Sequence, residues 1–203
     1  MFDEAFWDDR YQSHTAVWSG DPNPQLVAEA SELRPGMALD VGSGEGADAL
    51  WLAARGWRVT GVDFARTALD RAAVRADTLG VAVRWVRADL LTWVPDARFD
   101  LVTAHFMHLP GKDRVALFAR LAAAVAPGGT LLLVGHDESD MAAADDHPNL
   151  AGMFFTAAEV AKTLTDGWTI EVAERRARPA PDPEDQTTTI HLHDAILRAT
   201  RTR

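Results

Sequence analysis

Three aspartates in the first half of the sequence lie where an acid could bind part of a nucleotide. Asp40 comes just before the glycine-rich segment 42–46 (GSGEG), and Asp63 and Asp89 each follow a later apolar run. A carboxylate at Asp40 repels a pyrophosphate but attracts a cationic group such as an amino-acid ammonium. A carboxylate at Asp63 can accept hydrogen bonds from both hydroxyls of a ribose. Asp89, or the backbone of Leu90, can bind the exocyclic amine of an adenine.

The glycine-rich segment admits two interpretations. Gly42 and Gly44 allow a tight turn and let a ligand approach backbone N–H groups at a helix N-terminus. Together with Ala47 the segment also satisfies the dinucleotide pattern G-x-G-x-x-G/A, so a dinucleotide-dependent oxidoreductase is one alternative. A dinucleotide has no obvious use for Asp40, however. An ammonium site, a ribose site and an adenine site in strand order favour S-adenosylmethionine.

Two histidines are the candidates for acid–base chemistry. His105 and His136 follow the fourth and fifth predicted strands, and in open parallel sheets ligands bind beyond the carboxyl ends of the strands. A hydroxyl or carboxyl acceptor would gain from such a general base. A sulfur or selenium nucleophile would need none. We predict no metal site, because the acidic stretch 137–146 lacks a recognisable ligand spacing and is typical of a solvated loop.

Strands alternating with helices predict a doubly wound, mostly parallel α/β sheet that positions these residues. The predicted strands are 37–41, 58–63, 81–86, 99–104 and 130–134, and the predicted helices are 24–33, 47–55, 65–79, 111–125 and 156–164. A turn is predicted at 126–129 and a Pro/Asp/Glu loop at 178–185. Two late strands, 168–174 and 187–197, have no helix between them and predict an antiparallel hairpin at the sheet edge.

Composition limits the classes of protein and partner. The chain has 203 residues, of which 47% are hydrophobic, and this predicts a single domain. A formal charge of −10 opposes binding to duplex nucleic acid or to an anionic membrane. There is no cysteine, no signal-peptide pattern and no apolar run long enough to span a bilayer. We therefore expect a cytoplasmic protein that acts on a small molecule, as a monomer or a homodimer.

The sequence resembles the class I S-adenosylmethionine-dependent methyltransferases over nearly its whole length. The segments that carry the resemblance are FWDDRY, VWSGDPNPQL, LDVGSGEGADALWLA, VTGVDFARTAL, VRADLL, FDLVTAHFMHLP and VAPGGTLLLVGHD. Within that superfamily the W-x-G-x-P segment is most similar to the small tellurite-resistance and thiopurine-type methyltransferases. The alternatives to an active methyltransferase are a non-catalytic S-adenosylmethionine-binding protein and, as above, a dinucleotide-dependent oxidoreductase.

The resemblance implies a seven-stranded Rossmann-like sheet, S-adenosylmethionine as cofactor and S-adenosylhomocysteine as product. It also implies a division of the chain into an N-terminal helical lid over 1–35, a cofactor-binding core over 36–135 and a substrate-side loop with C-terminal strands over 136–203. The cofactor contacts that it implies are Trp18, Asp40, Gly42, Ser43, Gly44, Asp63, Phe64, Asp89, Leu90 and His105. Ser43 departs from the cysteine common in relatives, and Ala65 from a frequent helix-capping serine.

Overall fold

The computed structural model describes residues 4–15, 17–107, 109–140, 152–181 and 188–203. Its helices are α1 (Glu4–Ser13), α2 (Pro24–Ala30), α3 (Ala47–Ala54), α4 (Arg66–Leu79), α5 (Gly111–Ala124) and α6 (Ala157–Ala161). Its strands are β1 (Met37–Val41), β2 (Arg58–Asp63), β3 (Val83–Arg87), β4 (Phe99–His105), β5 (Val125–His136), β6 (Trp168–Pro181) and β7 (Thr189–Arg201). Within these ranges, none of the helices combines the length and the apolar composition that crossing a membrane requires.

One seven-stranded sheet, in the order β3-β2-β1-β4-β5-β7-β6, forms the centre of the fold. The first five strands are parallel, whereas β7 is antiparallel to both β5 and β6. The predicted doubly wound, mostly parallel sheet and its C-terminal antiparallel pair are therefore confirmed. The pair lies at the edge of the sheet as predicted, with β7 beside β5 and β6 as the edge strand.

Two predicted connections overlap strands in the structure. The predicted turn at 126–129 falls within the bounds of β5, but the register with β4 passes from Phe99–Val125 directly to Leu101–Thr130, so residues 126–129 form an unpaired irregularity of that strand. A Cβ atom on Gly129 would lie 2.9 Å from the carbonyl oxygen of Phe99, so only glycine fits this irregularity. The predicted loop at 178–185 begins too early, since residues 178–181 still pair with β7. Pro179 and Pro181 are compatible with pairing on an edge strand.

The packing of Trp85 against β2 and the start of α3 explains why positions 46 and 61 are glycine. A Cβ atom on Gly61 would lie 2.5 Å from Cζ3 of Trp85, and one on Gly46 would lie 2.7 Å from Cη2 of the same ring. Gly46 also takes a left-handed conformation, with φ +83°, as the residue preceding α3. The third glycine of the loop therefore allows the Trp85 ring to pack and α3 to begin, and it need not approach a ligand.

Candidate functional site

The carboxyl ends of β1, β2, β4 and β5 open onto one cavity of about 600 Å³. Because parallel strands present their carboxyl ends at one edge of the sheet, residues distant in sequence meet there. Most of the residues predicted from the sequence to bind a cofactor or act in catalysis line this cavity; they are Trp18, Gly42, Ser43, Gly44, Asp63, Phe64, His105 and His136.

Asp63 ties the glycine-rich loop to the end of β2. Its Oδ2 accepts a hydrogen bond from the backbone N–H of Gly44 at 2.9 Å, and its Oδ1 accepts one from Ala65 N–H at 2.9 Å. Burial raises the pKa of Asp63, and the hydrogen bonds from these N–H groups oppose that rise. Each carboxylate oxygen has two lone pairs, so both can still accept a further hydrogen bond from a ligand in the cavity.

Asp40 does not line the cavity; it is buried beside the wall at the end of β1. Its Oδ1 accepts a hydrogen bond from the Thr103 hydroxyl at 2.9 Å, while its Oδ2 is buried without a partner among the described residues. Burial, with the charge of Asp48 added, raises the pKa of Asp40 to about 7. A buried carboxylate oxygen without a donor is costly, so Asp40 is an acid that a nearby cation would stabilise.

Asp48 lies in the first turn of α3 and lines the cavity, although it was not among the residues predicted from the sequence. Its Oδ2 lies 2.7 Å from Nδ1 of His105, and its Oδ1 accepts a hydrogen bond from Asn23 N–H at 2.6 Å. Burial alone would lower the pKa of His105, but the hydrogen bond and charge of Asp48, together with the charge of Asp40, raise it. The Nε2 atom of His105 is buried without a partner among the described residues. His105 is therefore held in place by Asp48 and favours the charged form.

His136 has a different environment at the end of β5. Its ring lies 4.7 Å from the ring of Phe106 and 5.6 Å from that of Phe154, centroid to centroid. Burial, and then the positive charge of Arg178, lower the pKa of His136. The imidazole is therefore neutral at pH 7 and able to accept a proton. Phe106 has φ +50°, a conformation uncommon for a residue with a side chain and often found at functional sites.

Hydrogen bonds hold the N-terminal segment against the glycine-rich loop. Arg71 bonds Glu45 at 2.8 Å and donates to the carbonyl of Tyr11 at 2.6 Å, while Glu45 also accepts a hydrogen bond from Val17 N–H at 3.1 Å. The indole Nε1–H of Trp18 donates to the hydroxyl of Tyr11 at 3.1 Å. A wall of aromatic side chains therefore covers one side of the cavity.

Two predicted adenine-binding residues lie outside the cavity lining. Asp89 is exposed, and its Oδ1 accepts a hydrogen bond from the backbone N–H of Leu91 at 2.8 Å. Leu90 packs in the hydrophobic core, and its carbonyl accepts a hydrogen bond from Arg120 at 2.6 Å. The structure therefore separates these two residues from the rest of the predicted site, and their role in binding adenine stays a prediction.

The described part of the acidic stretch 137–146 does not line the cavity either. Asp137 accepts a hydrogen bond from Ser139 N–H, and Asp140 accepts hydrogen bonds from the backbone N–H and ring of His193. Within the described ranges, no group of three or more acids and histidines has the arrangement of a metal site. Asp145 and Asp146 lie outside the described residues.

Arg178 also lines the cavity and was not predicted from the sequence. It comes from the segment predicted to be a loop, and its partner Asp194 is remote in sequence, so no local pattern points to it. Asp48 could have been found, because an acid in the first turn after a glycine-rich loop must lie close to any ligand of that loop.

The central part of the chain, residues 38–129, matches a family model described as a methyltransferase domain. The chain is 34% identical over 164 residues to trans-aconitate 2-methyltransferase of Sinorhizobium medicae. It is 30% identical over 133 residues to probable thiol methyltransferase 2 of Arabidopsis thaliana. The matched segments cover 79% and 62% of this chain, but only 58% and 59% of the lengths of the two relatives.

The structure is similar along nearly its whole length to the N-methyltransferase NodS from Bradyrhizobium japonicum WM9, which was solved in complex with S-adenosyl-L-homocysteine. The TM-score is 0.73 at 20% sequence identity, and the match covers 99% of this chain and 100% of the other. At this identity the similarity concerns the fold, and it confirms the Rossmann-like sheet expected from the sequence.

Asp40→Asn tests whether the buried carboxyl group is destabilising when charged. The folded-state pKa is raised from 3.8 to about 7, so the folded protein binds more protons than the unfolded chain between these values. The contribution of Asp40 to the free energy of unfolding is therefore fully present below pH 4 and is lost as the pH rises to 7. Urea unfolding at pH 5, 7 and 8.5 should show a smaller loss of stability in Asp40→Asn than in the wild type. The exposed Asp70→Asn should follow the wild type, and a parallel decline in Asp40→Asn would contradict the account.

Proposed function

We propose that the chain is a class I S-adenosylmethionine-dependent methyltransferase, as the methyltransferase-domain match over residues 38–129 and the two relatives support, and that it transfers the methyl group of this cofactor to a small-molecule acceptor. The observation that carries the proposal is the meeting of the glycine-rich loop, Asp63 and the buried Asp40 at one edge of the sheet. Both relatives named above are called methyltransferases, and the names give acceptors of small size.

The residues in and beside the cavity fit the chemical groups of the cofactor. Asp40 is buried beside the cavity wall, its Oδ2 atom has no partner among the described residues, and its charge suits an ammonium group near Asp48 and His105. Asp63 suits the ribose hydroxyls, since it lines the cavity and its oxygens retain lone pairs. A pyrophosphate gains nothing from the buried acid Asp40, and this opposes the dinucleotide alternative.

When bound, S-adenosylmethionine supplies a methyl group that is already activated by the sulfonium charge. The acceptor atom forms its bond to the methyl carbon as the carbon–sulfur bond breaks, and the bonding electron pair remains on sulfur as a thioether. The protein must place the acceptor atom in line with that bond at about 3–3.5 Å. We assign the aromatic side chains Trp18 and Phe106 to the exclusion of water, since both line the cavity.

We assign the general-base role to His136 and a positioning role to His105. The lowered pKa of His136 keeps its imidazole neutral at pH 7, so it can take the proton of an attacking hydroxyl group. His105 favours the charged form and is bonded to Asp48, which suits it to fix the cavity wall. A thiolate acceptor has already lost its proton and does not need the base.

Cofactor binding depends on Asp63 in this account. Isothermal titration calorimetry should show saturable binding of S-adenosylhomocysteine to the wild type and about 10–100-fold weaker binding to Asp63→Asn, because hydrogen bonds to a charged group contribute about 1.5–3 kcal/mol. Asp96→Asn, an exposed carboxylate paired with exposed Arg84, should bind as the wild type does. Affinity for S-adenosylhomocysteine that Asp63→Asn leaves unchanged, or saturable binding of a nicotinamide dinucleotide in place of S-adenosylhomocysteine, would contradict the proposal.

Loss of the base should affect acceptors selectively. With a phenol acceptor, His136→Gln should lower kcat by about 10²–10⁴-fold, the usual contribution of a general base, while the affinity for S-adenosylhomocysteine stays unchanged. With a thiol acceptor the loss should be much smaller at pH 9, where the thiolate predominates. Release of S-adenosylhomocysteine measures both rates, and the exposed His191→Gln is the control. Equal losses with both acceptors would contradict the role of His136.

Saturable cofactor binding without transfer to any acceptor would favour a non-catalytic protein.

A further inference from the structure

Arg178 carries a positive charge from the edge strand β6 into the cavity. Its Nε donates a hydrogen bond to Oδ1 of Asp194 at 3.1 Å, and its guanidinium carbon lies 5.5 Å from the centre of the Phe106 ring. Among the described residues, its two Nη groups have no hydrogen-bond partner. Arg75 also lines the cavity, but both of its Nη groups donate to backbone carbonyls, those of Glu45 and Gly20.

The partner of Arg178 is buried. Asp194 has no exposed surface, and its Oδ2 accepts a hydrogen bond from Nε2 of Gln25 at 3.1 Å. Because Asp194 engages the Nε atom of Arg178, the hydrogen bond restrains the guanidinium and leaves both Nη groups able to donate. A guanidinium held in this way is suited to bind a carboxylate with little loss of side-chain freedom.

The position of Arg178 links anion binding to the proposed chemistry. The Arg178 guanidinium and the His136 ring both pack against Phe106, at 5.5 Å and 4.7 Å from the centre of its ring. A small molecule held by its carboxylate at Arg178 would therefore lie along the Phe106 ring, with its other end within the same cavity as His136 and His105.

We propose that Arg178 anchors a carboxylate of the methyl acceptor, so that the preferred acceptors are small organic acids carrying a second nucleophilic group. The inference rests on the proposed function and deepens it by naming the substrate class. The guanidinium engages a lone pair on each oxygen of the anchored carboxylate and lowers its nucleophilicity, so we assign the methyl transfer to another atom of the same molecule.

The charges of the cavity favour a monoanion over a phosphate. Asp194 already balances part of the charge of Arg178, and the remaining wall includes the carboxylates of Glu45, Asp48 and Asp63. A carboxylate needs one cation, whereas a phosphomonoester brings about two negative charges at pH 7 and would meet this acidic wall with a single free guanidinium.

The test compares acids with their own neutral esters as acceptors. The two pairs are 3-mercaptopropionate with its methyl ester and 4-hydroxybenzoate with its methyl ester; 4-hydroxyphenyl phosphate is the dianionic member. For the wild type we expect kcat/KM to be about 10–100-fold higher for at least one acid than for its ester, and the phosphate to be the poorer anion. That range corresponds to one charge-assisted contact.

Three variants separate binding from folding. Arg178→Gln should bring the acid-to-ester ratio of kcat/KM close to one, mainly through KM for the acid, with unchanged affinity for S-adenosylhomocysteine. Because this change leaves Asp194 buried without its cation, the double variant Arg178→Gln/Asp194→Asn removes both charges. It should fold and keep the ratio near one. Arg198→Gln is the matched control: its side chain is 26% exposed against 24% for Arg178, and its buried partner Glu29 keeps Arg176.

The outcomes distinguish this inference from the proposed function. Transfer to the esters as efficient as transfer to the acids, or an acid-to-ester ratio that the double variant leaves at the wild-type value, would overturn the role of Arg178 alone. A phosphate preferred over both acids would overturn the choice of a carboxylate. Cofactor binding without transfer to any of the five compounds would overturn the inference. If other acceptors that carry no carboxylate also failed to be methylated, that result would count against the methyltransferase activity itself.

Discussion

The burial of carboxylates at the carboxyl edge of the sheet is the constraint on which this site depends. Asp63 accepts hydrogen bonds from two backbone N–H groups, and Asp194 accepts hydrogen bonds from Arg178 and Gln25. Asp40 is only partly satisfied, because one of its oxygens has a hydroxyl partner and the other has none among the described residues. An acid left in this state is destabilising when charged, unless a cationic ligand is what completes its surroundings.

The same hydrogen bonds that satisfy the acids also assemble the cavity. Asp63 holds the glycine-rich loop against the end of β2, and Asp48 joins α3 to His105 at the end of β4. Glu45, inside the loop, joins α4 to the N-terminal segment through Arg71. Each contact couples two elements of the fold at a wall of the cavity, so the shape of the site is set by residues that belong to the fold.

Local patterns were sufficient to predict the loop and strand-end residues that line the cavity, but not Arg178. Asp40, Asp63 and the glycines lie where an apolar run ends, and strand ends of a parallel sheet meet at one edge, so their convergence follows from the alternation of strands and helices. The insertion of β7 beside β5 and the arrival of Arg178 in the cavity depend on pairings between distant segments, such as Gln25 with Asp194. No local periodicity encodes those contacts. The division of the chain into lid, core and substrate-side segments remains a prediction.

In the proposed function, the charge of Asp40 receives the ammonium group of the cofactor. Calorimetric titration of S-adenosylhomocysteine at pH 6, in two buffers that differ in heat of ionisation, measures the protons released on binding. Because the pKa of Asp40 is about 7, the account predicts release of about one proton by the wild type, as the ammonium drives the carboxyl group to ionise, and almost none by Asp40→Asn. Equal proton release by the two proteins, or no saturable binding by the wild type, would contradict it.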